Sequence, residues 1–209
     1  MILTASAWAE SCPPAGIFVP ERKVALSTSM GIPVYSGELS RVQVNALAHS
    51  KGTAGNNVIG LTQSEVEGKV TTQIWSVDMG GGRRCQGLGR VDGHWRLKDI
   101  VVHIASEYPP GGCNYAKIRQ HEDEHVAIAR ETFQRWAPRL QAALGEAASR
   151  ERPMLGTTDP NQMKRDINER LLRALQPTVD GYKAELKSRN AAIDTTANYR
   201  LVMSRCPGW

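Results

Sequence analysis

Several things are scarce in this chain, and each scarcity excludes something. No apolar run approaches the roughly 18 residues that a bilayer-spanning helix needs, so no transmembrane segment is expected. Basic residues are not concentrated: 26 Lys and Arg stand against 21 Asp and Glu, for a net charge of +5, and the two signs are interleaved. Without a basic stripe, no nucleic-acid partner is expected, and the mild positive charge points only toward acidic surroundings or an acidic substrate. Internal repeats and low-complexity segments are absent. Aromatic residues make up 6% of the chain, and only two are phenylalanine. Cysteine is sparse but even in number, at four.

What is present suffices for a folded protein. The chain has 209 residues and is 41% hydrophobic, enough for the core of one ordinary domain, expected over residues 10–209. The opening "MILTASAWAESC" reads as the end of a secretory signal over residues 1–9, an apolar stretch followed by Ala7-Trp8-Ala9 in the A-x-A cleavage pattern. Export to the periplasm or beyond is therefore expected. Glu10 and Ser11 make a poor lipobox before Cys12, which argues against a lipid anchor. In an oxidising compartment, four cysteines suggest two disulfides and allow three pairings. Cys85 with Cys113 and Cys12 with Cys206 are favoured, because the second bond would tie down both ends of the chain.

Composition changes near Pro109. Residues 30–108 read as mainly β, with candidate strands "IPVYSGEL", "RVQVNALAHS", "KVTTQIWSVDM" and "KDIVVHIAS" set between turn signals at Gly55-Asn56, Gly80 to Gly82 and Asp92-Gly93. Residues 113–209 read as mainly α. "EYPPGG" is the hinge, and Asn114 is a reasonable N-cap beyond it. Apolar residues at Ile118, Val126, Ala129, Phe133, Trp136, Leu140 and Leu144 recur at helical spacing, with a kink expected at Pro138. The Pro- and Gly-containing loop "RPMLGTTDP" turns the chain, and Thr158 or Asp159 can cap a second helix. That helix carries Met163, Ile167, Leu171, Leu175, Val179, Tyr182 and Leu186, with interruptions expected at Pro177 and Gly181. So short a loop implies an antiparallel helical hairpin. A last helix near Thr195 to Ser204 would take Asp194 as its cap.

Within the first helix, His121-Glu122-Asp123-Glu124-His125 fits H-E-x-x-H. A spacing of four puts both imidazoles on one face, a turn apart, where each can offer a nitrogen to one metal ion. Glu122, next to the first histidine, is placed to take a proton from a water at the metal. Both histidines extend the apolar stripe through Phe133 rather than the solvated face, which favours metal binding over a merely charged helix face. A third ligand should come from the returning arm of the hairpin, where Asp194 and Glu185 are the candidates. Asp194 is preferred because "NAAIDTTANY" breaks the helix at that level. Tyr199, Tyr182 and His103 are candidates for stabilising negative charge on a reacting carbonyl oxygen. The strand "DIVVHIAS" is a candidate exposed edge for holding a peptide.

The chain resembles the zincins, the broad class of H-E-x-x-H metallopeptidases. More narrowly, "YPPGGCNYAKIRQHEDEHVAIARE" resembles exported bacterial families of unknown function regarded as secreted zinc-dependent proteases, with a weaker echo at "AAIDTTANYRLVMSRC". The resemblance implies Zn2+ held by His121 and His125, with Glu122 as general base. It departs from the metzincin extension, which requires glycine and histidine where this chain has Ile128 and Glu131. The expectation is thus an α+β protein, with an N-terminal antiparallel sheet packed on a C-terminal helical hairpin. It is expected to act as an exported zinc metallopeptidase on peptide or protein substrates of the cell envelope. Its rivals are an envelope binding module with a structural metal or none, and a peptidoglycan amide hydrolase.

Overall fold

A computed structural model describes residues 12–13, 16–50, 58–207 and 209. The expected signal remnant at residues 1–9 and the Gly55-Asn56 turn lie outside them. The described elements run β1 (Lys23–Met30), β2 (Val34–Ser36), α1 (Arg41–Ser50), β3 (Gly60–Asp78), β4 (Arg84–Ile104), α2 (Cys113–Arg150), β5 (Met154–Gly156), α3 (Pro160–Ile193) and α4 (Thr196–Met203). The class is α+β. All five strands belong to one sheet, and β1, β2, β3 and β5 each pair with β4. β2 runs parallel to β4, with Val34 opposite Val101 and Ser36 opposite His103. β5 runs antiparallel, with Arg84 opposite Gly156.

The parallel pair corrects the expectation of a purely antiparallel sheet. α1 and β3 intervene between β2 and β4, a connection long enough for the chain to return and run β4 in the direction of β2. The same pairing removes "DIVVHIAS" as a free edge: β2 lies along Val101 to His103, and the other side of β4 belongs to β3, with the Ala105 amide donating to the Ile59 carbonyl at 2.9 Å.

The chain forms two compact units, one of Met1–Ser27, Lys69–His94 and Leu140–Gln176, the other of Thr28–Gly68, Trp95–Arg139 and Pro177–Trp209. In the first unit, the expected turn at Gly80 to Gly82 joins β3 to β4. All three glycines have positive φ, and the Asp78 carboxylate accepts from the Gly80 amide at 2.8 Å. Asp92-Gly93, by contrast, is no turn, because β4 runs straight through it. The glycine is there for space: a β-carbon at Gly93 would lie 2.8 Å from Leu26 and 2.9 Å from Leu144. Cys12 is bonded to Cys85, their Cα atoms 5.5 Å apart.

In the second unit, residues 41–50 form helix α1 and not the strand that their alternation suggests. A reciprocal cap decides it. The Ser40 hydroxyl accepts from the Gln43 amide, and the Gln43 side-chain oxygen accepts from the Ser40 amide at 2.8 Å, an S-x-x-Q capping box. Val44 and Ala48, four apart, then pack with Val58, Leu61 and Ala105. Trp95 stacks on Phe133 at 5.9 Å and meets Tyr182 edge-on at 5.7 Å, so β4, α2 and α3 share one aromatic core. Arg135 and Trp136 of α2 donate to the Glu185 carboxylate of α3, each at 2.8 Å, and Arg189 donates to Thr132 at 2.8 Å. α3 continues through Pro177 and Gly181 without interruption. Gly181 leaves room for Trp136, whose ring would lie 2.5 Å from a β-carbon there.

Cys113, at the start of α2, is bonded to Cys206 beyond α4, their Cα atoms 5.9 Å apart. Two disulfides are present as expected, but both favoured pairings are corrected: each bond closes within its own unit. Cys85 belongs to the first unit and Cys113 to the second, and each finds its partner, Cys12 and Cys206, within its own unit. No described helix is long and apolar enough to cross a membrane.

Candidate metal centre

α2 places His121 and His125 one turn apart on the face that also buries Ile118, Val126, Ala129 and Phe133. The two imidazoles are only 6% and 9% exposed. Their Nε2 atoms face each other at 3.2 Å, and one oxygen of Asp194, Oδ1, lies 3.2 Å from the first and 3.0 Å from the second. These three residues are the metal-binding type of cluster found among the described residues. Asn190, one turn before Asp194 on α3, has its Oδ1 3.0 Å from His125 Nδ1. A proton held on Nδ1 by that oxygen leaves the Nε2 lone pair directed at the cluster.

Asp194 is available for this because it does not cap α4. Thr195 does, its side chain accepting from the Asn198 amide at 3.1 Å. Tyr199, on the first turn of α4, donates its hydroxyl to Asp194 Oδ1 at 3.3 Å and holds its ring centroid 5.4 Å from that of His121.

Glu122 is 3% exposed. The Thr62 hydroxyl of β3 donates to its Oε2 at 2.8 Å, and Gly60 of the same strand leaves the space that its Oε1 fills, since a β-carbon there would lie 2.5 Å away. A cavity of about 100 Å³ is lined by Gly60, Thr62, Glu122, His125, Asp194 and Tyr199, so the Glu122 carboxyl shares one opening with two members of the cluster.

The charges form a coherent set. Burial pushes the Glu122 carboxyl above its ordinary range, against the opposing pull of His125 and of the Thr62 hydrogen bond. Burial also acts to raise Asp194, but hydrogen bonds from His121 and His125 prevail and hold it well below the usual carboxylate range. For His125, burial acts to lower the value. The bond to Asp194, the charge of Glu122 and the bond to Asn190 outweigh it and raise the value to about 9. Tyr199 is pushed up by burial and by the negative charge of Asp194 and Glu122. The pocket therefore favours positive charge, carried by a proton on His125 when no cation is there.

The other candidates lie elsewhere. Glu185 is held by Arg135 and Trp136. Tyr182 is buried in the aromatic core, which pushes its hydroxyl up to about 12, and His103 lies on β4 opposite Ser36. Sequence reasoning did not find Thr62, Gly60 or Asn190. For Asn190 a signal existed, its spacing of four before Asp194. For the two β3 residues none did, since strand pairing alone brings them to the helix. No family model, curated protein or solved structure matches this chain, so the His121, His125 and Asp194 cluster rests on its own geometry.

Proposed function

We propose that the chain is an exported zinc-dependent hydrolase that cleaves peptide bonds, with His121, His125 and Asp194 as ligands and Glu122 as general base. One observation carries the reading: three ligand atoms converge beside a buried carboxylate that opens on the same cavity. The donor set suits zinc, which binds imidazole nitrogen and carboxylate oxygen at about 2.0 to 2.2 Å. In a tetrahedral site such bonds put the ligand atoms about 3.3 to 3.6 Å from one another, a little wider than the cluster now stands. The three separations here are 3.0, 3.2 and 3.2 Å. Structural zinc sites are closed by four protein ligands, whereas three ligands and an adjoining cavity favour catalysis over a purely structural metal. Two disulfides and the absence of a membrane-crossing helix among the described residues agree with export.

When bound, zinc would supply Lewis acidity, polarising the scissile carbonyl and making a water acidic near neutral pH. The protein's own groups supply the rest. Glu122 accepts a proton from the attacking water as the water oxygen bonds to the carbonyl carbon. It then delivers that proton to the departing amine as the C–N bond breaks. Thr62 fixes one oxygen of Glu122 and leaves the other for the proton. Tyr199 lines the cavity, and its hydroxyl, on turning from Asp194, can donate to the developing oxyanion. The helical hairpin of α2 and α3 brings Asp194 back to the histidines.

Elemental analysis of the purified chain and of His125→Ala tests the site. One zinc per chain, lost in the variant, is expected, together with hydrolysis of denatured protein substrates by the zinc-loaded form. Zinc content unchanged by the substitution would remove these residues from metal binding.

A further inference from the structure

Asn190 stands where two cavities of the second unit share a wall. It lines the cavity of about 100 Å³ beside Glu122, His125 and Asp194, and it also lines a larger one of about 540 Å³. Leu61 and Thr62 of β3 are the other residues common to both. The larger cavity has a volume in the range of ligand sites, and its walls include Leu61 to Glu65 of β3 and Leu186 and Asn190 of α3. A substrate whose reacting bond lies by Glu122 therefore has room to continue past Asn190.

One end of the Asn190 carboxamide is already occupied. Its Oδ1 lies 3.0 Å from His125 Nδ1. With His125 Nε2 turned to His121 and Asp194 as a ligand atom, Nδ1 carries the proton and donates to that oxygen. A carboxamide turned the other way would set donor against donor, so the amide orientation is fixed and Nδ2 is directed away from the histidine. Among the described residues Nδ2 has no acceptor. Asn190 is half-buried, and a donor partly cut off from water is best satisfied by an acceptor on a ligand. Charge in the larger cavity is mixed, Glu65 and Asp99 against Lys183 and Lys187, which suits a neutral acceptor. A peptide offers one at every residue, its main-chain carbonyl. Asn190 lies one turn before Asp194, about 6 Å along the helix, and an extended peptide advances about 3.4 Å per residue.

We propose that Asn190 is a substrate-binding residue with both ends in use: Oδ1 holds the Nδ1 proton of His125, and Nδ2 donates to a substrate main-chain carbonyl about one or two residues from the reacting bond. The proposal rests on the peptidase reading above and adds to it a residue that recognises substrate. A single planar amide then ties the register of the peptide to the orientation of a ligand imidazole.

The test is peptide binding by the full zinc-loaded chain with Glu122→Gln, measured by fluorescence anisotropy, together with zinc affinity from competition with a chelator. The probes are a labelled heptapeptide of neutral residues and analogues in which one amide at a time is replaced by a trans-alkene, which keeps the extended shape and deletes the carbonyl. At one position the alkene should weaken binding about three- to tenfold, the size of one neutral hydrogen bond. Asn190→Asp keeps an oxygen for His125 and removes the donor. In that variant the parent peptide should lose the same factor, and the alkene at that position should cost nothing further. Zinc affinity should be retained in Asn190→Asp and fall about 10- to 100-fold in Asn190→Ala, which removes both ends. A merely structural Asn190 would leave peptide binding unmoved in Asn190→Asp. That result, alkene penalties unchanged by the substitution, or no peptide binding at all would overturn the proposal. Asn190→Ala at saturating zinc gives the same comparison of peptides should Asn190→Asp fail to fold. Hydrolysis by the unsubstituted chain is read separately. A penalty that depends on Asn190 without hydrolysis would sink the catalytic reading and keep the contact, whereas hydrolysis without that penalty would do the opposite.

Discussion

Asp194 owes its role to its neighbour. An aspartate at a helix junction ordinarily spends its carboxylate on the first amides of the next helix. Here Thr195 takes that task, and the carboxylate turns to two imidazoles. Removal of metal should expose the consequence as a pH effect. His125 has a folded value of about 9 against an ordinary 6.5, so its contribution to stability is complete below about 6.5 and is lost as pH rises to about 9. Melting temperatures of the chelator-treated chain should fall across that window, and saturating zinc should flatten the trend, because the ion replaces the proton. A flat profile in chelator would contradict the coupling. At the same scale, Glu122→Gln should keep zinc and lower turnover about 10²- to 10⁴-fold, as expected for loss of a general base, checked by kcat and metal content together. The histidines and Glu122 were legible from five consecutive residues. Asp194 was legible only as one of two carboxylates at the right distance from the turn, and only side-chain contacts separate it from Glu185.

Secondary elements were read well where periodicity was long and poorly where caps outweighed it. The stripe from Ile118 to Leu144 marked α2 to within a few residues of Cys113–Arg150. Residues 41–50 alternate like a strand, yet Ser40 and Gln43 close a capping box that the alternation concealed. β5 was missed because three residues carry no pattern, and its existence depends on pairing with Arg84 to Gln86. Two predictions belong to this scale. Thr195→Ala removes the α4 cap at a cost of about 1 kcal/mol, and a melting curve should show a fall of roughly 2 to 4 °C. Gly60→Ala forces a β-carbon into Glu122 and Ile118, at 2.5 and 2.6 Å, which should cost about 1 to 3 kcal/mol by overpacking. Because β3 then displaces the base and not the ligands, zinc should remain while turnover falls. Equal loss of both would show that β3 supports the whole cluster.

The disulfides act on the whole chain. They span 73 and 93 residues, and loops of that size stabilise by about 4.5 kcal/mol each in the chain-entropy account. Replacing either pair by serine should lower the melting temperature to a similar degree. Zinc affinity should separate them: losing Cys113 and Cys206 frees the segment that carries Asp194 and Tyr199, whereas losing Cys12 and Cys85 touches no residue of the candidate centre. A zinc titration of the two double variants decides it. Their pairing was not legible, because the sequence shows no sign that the chain crosses between its two units at 27/28, 68/69, 94/95, 139/140 and 176/177.

That weave also sets an order of events during synthesis. Glu122's partner Thr62, the two histidines and Asp194 come from three separate stretches of the second unit, in that order from the N-terminus. A ribosome-bound chain has both imidazoles long before it has the carboxylate, and Cys206, which fastens that last stretch, emerges later still. Any interrupted or clipped product ending before residue 194 lacks the carboxylate, so the three groups can meet only in a chain synthesised at least that far.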